Sequence, residues 1–340
     1  MASSELHFGV AIDGAGYHPA AWRASGVEPA ALFTSAHYLT YARLAEYAKL
    51  DFVTLDDSLG VQPGGSSVVR GRLDALLTFA ALGPVTHSIG LVPTVTTTHT
   101  EPFHVATAVA TLDYASRGRA GVLLIPSRTE AEAKHFGRRA WPSESAANAE
   151  NADVVDVLYR LWDSWEDDAI IRDEPTGRFI DRDKLHYADF EGQFFSVKGP
   201  SITPRPPQGH PVVMNEFGPD LAMDGGKVLE TVSVLLGETE QHALDRRQQL
   251  DSLYGKEFRP SGRDFVGTPA ALAAALREWS EGHVDGFLIR PAVLPDDLEL
   301  FANETVPELR SAGLVREDYS GTTLREHFGL AKPPNMYQGV

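Results

Sequence analysis

The 340-residue chain contains no cysteine, which excludes disulfides, thiolate–zinc sites, iron–sulfur clusters and a cysteine nucleophile together. Long apolar runs are missing too. GVLLIP from Gly121 and VSVLLG from Val232 fall far short of the roughly 20 residues that a membrane-crossing helix needs. The opening MASSELHFGVAI has neither a basic stretch nor a long apolar one, so the sequence predicts a cytoplasmic protein with no secretory signal and no membrane partner. Positive charge is scarce, with 30 Lys and Arg against 47 Asp and Glu and a net charge of −17. Such a surface repels phosphate backbones and anionic lipids, so no nucleic-acid partner is expected. Arg138-Arg139 and Arg246-Arg247 sit among acids and read as solvated helix faces.

The common catalytic signatures are equally absent. No HExxH, GxSxG or phosphate-cradling GxxxxGKS/T motif occurs. GAGYHP from Gly14 has Pro19 where a dinucleotide loop needs its third glycine, and reads as a turn. His99-Thr100-Glu101 matches the H-x-E of zinc deaminases without the cysteine pair that site requires. Among the adjacent acids, Asp167-Asp168 and Asp296-Asp297 suit surface or cap roles, and no metal centre is expected.

What is present is an alternation of short β-rich segments and helical stretches. Seven candidate strands stand out: HFGVAI from His7, DFVTLD from Asp51, IGLVPTV from Ile89, AGVLLIP from Ala120, PVVMNE from Pro211, VLETVSVLLG from Val228 and DGFLIRP from Asp285. They are near-continuous apolar runs, as parallel strands buried on both faces must be. Between them, helices are predicted over the segment holding Leu39 to Tyr47, from Pro102 to about Gly118, from Asn148 to Trp165, and from Pro269 to near Gly282. Repeated strand and helix predict an α/β fold with right-handed crossovers, either a (β/α)₈ barrel or an open doubly wound sheet. Two stretches break the rhythm. About 167–208 is rich in charge, Pro and Gly and reads as an excursion with a small hairpin from His186, within one domain spanning 1–340. Between PVVMNE and VLETVSVLLG only FGPDLAMDGGK intervenes, too short for a parallel crossover with its helix.

Several segments, in order, carry a resemblance: GYHPAAWR from Gly16, LDDSLG from Leu55, PTVTTTHTEPFHVATAVATLDYASRGRAG from Pro93, LYRLWDSWEDDAIIRD from Leu158, FEGQFFSVKGPSITPRPPQGHPVV from Phe190, and VPELRSAGL with LREHFGL near the end. Together they resemble the nitrilotriacetate monooxygenase branch of the bacterial luciferase-like flavin-dependent monooxygenases. The resemblance implies a TIM-type barrel whose C-terminal mouth holds reduced FMN, delivered by a separate reductase, to oxygenate a small organic substrate with O₂. Homodimers, or heterodimers with a second luciferase-like protein, are implied as partners. Asp57 and Thr97 match flavin-contacting positions, with capping of the next helix as the alternative for each. Phe33, His37, His99 and Phe103 would line the substrate pocket.

Other positions depart from the family pattern, and they cluster at the cofactor. Glu144 and Asn148 stand where a His and a Tyr are usual, Val122 and Leu123 replace a Trp–Asn pair, and Pro126-Ser127 a Thr-Ser. The phosphate loop after the fifth strand becomes NEFGPD from Asn215, whose Glu216 and Asp220 suit a dianion poorly. The short link implies a barrel lacking one β/α unit, with about seven strands and two edges to be covered by a dimer partner, a bulge or the excursion. Two readings follow. One is an FMN-dependent monooxygenase that holds its flavin on Asp57, Thr97, Asn148 and Asn215. The other is a barrel with no flavin, either a non-redox enzyme using Asp57, His99 and Glu144 as acid–base groups or a non-catalytic partner subunit.

Overall fold

The computed structural model describes residues 5–338 apart from 63, 65, 66, 128 and 283. All seven expected strands are found, as β1 (His7–Ala11), β2 (Phe52–Leu55), β3 (Gly90–Thr96), β4 (Gly121–Ile125), β9 (Val212–Phe217), β11 (Lys227–Leu236) and β13 (Gly286–Pro291). The hairpins β5–β6 (Ile170–Asp173, Arg178–Ile180) and β7–β8 (Phe190–Glu191, Ser196–Val197) lie in the excursion. The second of these is the hairpin expected after His186. Helices α1 (Ser35–Tyr47), α2 (Ala75–Leu82), α3 (Pro102–Ser116), α4 (Glu130–Phe136), α5 (Glu144–Asp163), α6 (Glu240–Tyr254), α7 (Pro269–Trp279), α8 (Asp296–Leu300), α9 (Val306–Ser311) and α10 (Leu324–His327) complete the chain.

The barrel closes, and the short link closes it. Residues Asp220–Met223 form β10, which runs antiparallel to both β9 and β11. The ring is therefore eight strands, β1-β2-β3-β4-β9-β10-β11-β13 and back to β1, all parallel except β10. The expectation of two open edges is thereby corrected: the residues too few for a crossover are enough for two tight turns and one strand. Each turn needs left-handed backbone, supplied by Gly218 (φ +64°) before β10 and by Gly225 and Gly226 (φ +79° and +75°) after it. Asp220 fixes the seam by accepting the Thr231 N–H at 2.8 Å. Above this short strand the same edge of β11 pairs in parallel with β12 (Arg263–Gly267) through Val232 to Leu236, so one barrel position is shared by two strands. Neither β10 nor β12 has an apolar run long enough to declare itself in the sequence.

Outside the ring a large apolar cluster packs Phe8, Val10, Val53, Val232, Val234 and Ile289 against helical residues such as Tyr41, Phe79, Leu276 and Phe301. Inside, Phe52, Val92, Leu123, Met214, Leu221 and Leu288 fill the barrel, and Leu324 and Phe328 at α10 close its N-terminal end. Small residues make room for this filling. A Cβ on Gly9 would stand 2.2 Å from the Phe52 ring, and one on Gly286 only 1.9 Å from the His7 carbonyl oxygen. Gly286→Ala must push β13 off β1, and is expected to cost about 2–3 kcal/mol of unfolding free energy in urea titration. The excursion is tied down by buried Arg205, which donates to Asp163 Oδ1 at 2.8 Å and to Asp167 Oδ2 at 2.9 Å. Among the described residues no helix is long and apolar enough to cross a membrane.

Candidate functional site at the barrel mouth

The C-terminal ends of the strands surround a cavity of about 810 Å³, where barrel enzymes place their chemistry. Its floor and walls are apolar: Ala11 on β1, Leu55 on β2, Leu123 and Ile125 on β4 and Leu288 on β13. Two hydroxyls interrupt them. Thr54 and Thr94, only 4% and 3% exposed, line the cavity, and neither Oγ1 has a hydrogen-bond partner. An unmatched buried hydroxyl costs free energy, so a ligand able to hydrogen-bond either one would recover it.

The rim is charged. Asp13 follows β1, and its Oδ1 accepts the Asp56 N–H at 2.5 Å. Burial, then the charge of Asp56, pushes the Asp13 carboxyl up to about 7, against that N–H and the charges of Arg290 and Arg72. Arg290, at the end of β13, donates to Tyr17 Oη at 3.3 Å and Ser261 Oγ at 3.4 Å and lies 4.9 Å over the Tyr17 ring. These hydrogen-bond and ring partners are neutral, and the acid nearby is Asp13. Arg72 donates to the Gly60 carbonyl at 3.1 Å and lies 3.9 Å from Asp57.

A second cavity, of about 360 Å³, opens between the ends of β4 and β9 and the start of α5. It is lined by Ser127, Trp141, Glu144, Asn148, Asn151 and Asn215 among others, and Glu216 belongs to both cavities. A polar chain orders it: Thr97 Oγ1 donates to Asn151 Oδ1 at 2.9 Å, and Asn151 Nδ2 to Asn215 Oδ1 at 2.8 Å.

Of the residues singled out in the sequence, Glu144, Asn148 and Asn215 thus meet in one cavity, with Thr97 joined to them through Asn151. Asp57 turns the other way, its carboxylate accepting the Ser58 N–H at 2.7 Å and the Ala75 N–H at the start of α2 at 2.9 Å; burial nonetheless holds it above the usual carboxylate range. His99 stacks on Phe136 with ring centroids 5.1 Å apart. Burial and the nearby Arg139 lower its pKa, and its Nε2 has no partner. No hydrogen bond links Asp57, His99 and Glu144 among the described residues. Phe33, His37 and Phe103 are not brought together either. Phe33 is 45% exposed, His37 bonds the Gly14 carbonyl at 2.6 Å, and Phe103 packs with the cluster under α3 and α5.

Residues that sequence reasoning missed carry most of the first cavity: Asp13, Thr54, Arg72, Thr94 and Arg290. A signal existed for three of them. Thr54, Thr94 and Arg290 are polar interruptions near the C-terminal ends of otherwise apolar strands, at positions that alternation turns inward.

Comparison with known proteins agrees with this architecture. Residues 15–281 match the model of the luciferase-like monooxygenase family. Nitrilotriacetate monooxygenase component A from Aminobacter aminovorans is 31% identical, with 98% of each chain covered. N-acetyl-S-(2-succino)cysteine monooxygenase from Bacillus subtilis (strain 168) is 30% identical, again over 98% of each. That alignment runs to 433 positions against 340 residues here, so the relative carries segments with no counterpart in this chain. Among solved structures, the EDTA monooxygenase EmoA from Chelativorans sp. BNC1 superposes with a TM-score of 0.84 over 97% of this chain and 99% of its own, at 21% identity.

Proposed function

Since the chain belongs to the luciferase-like monooxygenase family, we propose that it is the oxygenating component of a two-component system that takes reduced flavin from a separate reductase and inserts oxygen from O₂ into a small organic substrate. The observation that carries this reading is the pair of buried, unpartnered hydroxyls in an apolar cavity at the barrel mouth. Thr54 and Thr94 would hydrogen-bond the heteroatoms of the isoalloxazine ring, while Ala11, Leu55, Leu123 and Leu288 would flank its apolar faces and exclude water. The flavin supplies the activation of O₂, which no side chain can perform. Asp13, with its carboxyl near 7, can hold or release a proton at the rim at neutral pH.

Arg290 favours a substrate with an anionic group. It faces the cavity with only hydroxyls as hydrogen-bond partners and with Asp13 as a nearby acid, and a substrate carboxylate would complete its guanidinium fork. The relatives named for nitrilotriacetate and N-acetyl-S-(2-succino)cysteine act on carboxylated molecules, which supports the same class. With a flavin reductase, NADH and O₂, the chain is expected to add one oxygen atom to a member of a panel of carboxylated amines and thioethers, read by mass spectrometry. Absence of product across the panel, with flavin bound, would favour a non-catalytic subunit instead.

Ring placement has its own test. Thr94→Val removes an unmatched hydroxyl, so it is expected to stabilise the free protein by about 1 kcal/mol while weakening reduced-flavin binding roughly fivefold. Stabilisation with unchanged affinity would remove Thr94 from the ring site.

A further inference from the structure

We propose that the flavin held by this chain has an uncharged tail, riboflavin rather than FMN, its ribityl hydroxyls received by the amides of the second cavity and the Glu144 carboxylate. This rests on the flavin reading given above and adds to it which flavin binds. Glu216 lines both cavities, so they adjoin, and the tail of a planar group in the first would lie toward the second.

The described lining offers a phosphate little. Among the described residues lining the second cavity there is no Lys or Arg, and nearby Arg139 is engaged by Glu150 at 2.5 Å and by the Thr98 carbonyl. Phosphate sites in α/β folds draw on free backbone N–H groups at a helix start after a strand. After β9 no helix starts. The chain turns back, and Asn215, Glu216 and Phe217 are paired in the ladder with Ala222, Leu221 and Asp220. Among the described residues lining the cavity, the helix start is that of α5, and its first turn carries Glu144, a negative charge already set near the positive end of the helix dipole. A dianion placed there meets like charge.

A polyol meets the opposite. Asn148, Asn151 and Asn215 each offer a donor and an acceptor, and Glu144 offers acceptors, the complementary set for a row of hydroxyls that both donate and accept. The Thr97–Asn151–Asn215 chain orients two of these amides before any ligand arrives.

The test is isothermal titration of the full chain with lumiflavin, riboflavin and FMN, oxidised in air and dithionite-reduced under anaerobic conditions. Riboflavin is expected to bind at least about tenfold more tightly than FMN at low salt, with the gap narrowing as salt screens the repulsion. It should also bind more tightly than lumiflavin, which has no tail. Glu144→Gln, at an exposed position in the first turn of α5, should tighten FMN several-fold and leave lumiflavin unchanged. FMN binding as tightly as riboflavin would overturn the proposal and leave the flavin reading standing. An unchanged gap in Glu144→Gln would overturn the placement of the tail in the second cavity. If none of the three ligands binds in either redox state, the flavin reading fails and the proposal with it.

Discussion

Asp13→Asn is expected to make the protein more stable, and increasingly so as pH rises. The Asp13 carboxyl is pushed from 3.8 to about 7 on folding, so between those values the folded state binds a proton that the unfolded state releases. Stability of the native chain therefore falls as pH climbs through this window and levels off above about 7. At 1.36 kcal/mol per pKa unit, the full window is worth about 4 kcal/mol. Asparagine cannot ionise, yet its amide oxygen can still accept the Asp56 N–H. The stability advantage of the variant should grow by about 2 kcal/mol between about pH 5.5 and about pH 8 in urea titrations. An advantage that stays flat with pH would mean that Asp13 is ordinarily ionised. Stability given up at the rim of a cavity is what a group kept for proton exchange requires.

Asp51→Ala should be the most damaging single change outside the cavities. Asp51 is 2% exposed at the N-terminal end of the barrel. Its carboxylate accepts from the Phe8 N–H at 2.7 Å, His7 Nδ1 at 3.0 Å and Arg316 Nη2 at 2.6 Å. Burial alone would raise its pKa, but His7, Arg316 and the Phe8 N–H together hold it below the usual range. Removing the carboxylate leaves the Phe8 N–H without an acceptor and takes from Arg316 its one buried acid, leaving it the half-exposed Glu5 at 3.0 Å and the His327 carbonyl at 3.1 Å. Loss of one partner from such a buried set costs about 3–5 kcal/mol, checked by chemical denaturation near pH 7. The stabilisation is present above the unfolded pKa of Asp51 and is lost as pH falls through its lowered folded value, so Asp51→Ala and the native chain should converge in acid. A cost below about 1 kcal/mol would mean that the three partners find other acceptors.

The seven expected strands were legible because each is largely buried on both faces and so is written as a near-continuous apolar run, as Gly121 to Ile125 is; β12, parallel but partly exposed, was not. The antiparallel β10 was not, because DLAM is four residues long and alternates between half-buried and buried. What the sequence did show was the shortage of residues between β9 and β11, and that shortage is the cause of the hairpin. At the site, the convergence of Glu144, Asn148 and Asn215 follows from family positions, whereas the first cavity depends on inward alternation near the strand ends. Asp13 lies in a turn where an acid has many ordinary roles, and only burial beside Asp56 distinguishes it. Asp57 illustrates the converse: a carboxylate at a strand end can serve the next helix instead of the cavity, and the sequence is the same in both cases.

The hairpin also bears on how the barrel assembles. β9, β10 and β11 are consecutive in the chain over 212–236, so their pairing closes only short loops and loses little chain entropy. The other side of the ring joins His7 to Gly286, across nearly the whole sequence. Folding rates fall with such sequence separation. The meander can therefore form as a local unit and act as a template for its neighbours, leaving the β1–β13 contact as the slow step that converts an open, twisted sheet into a closed one.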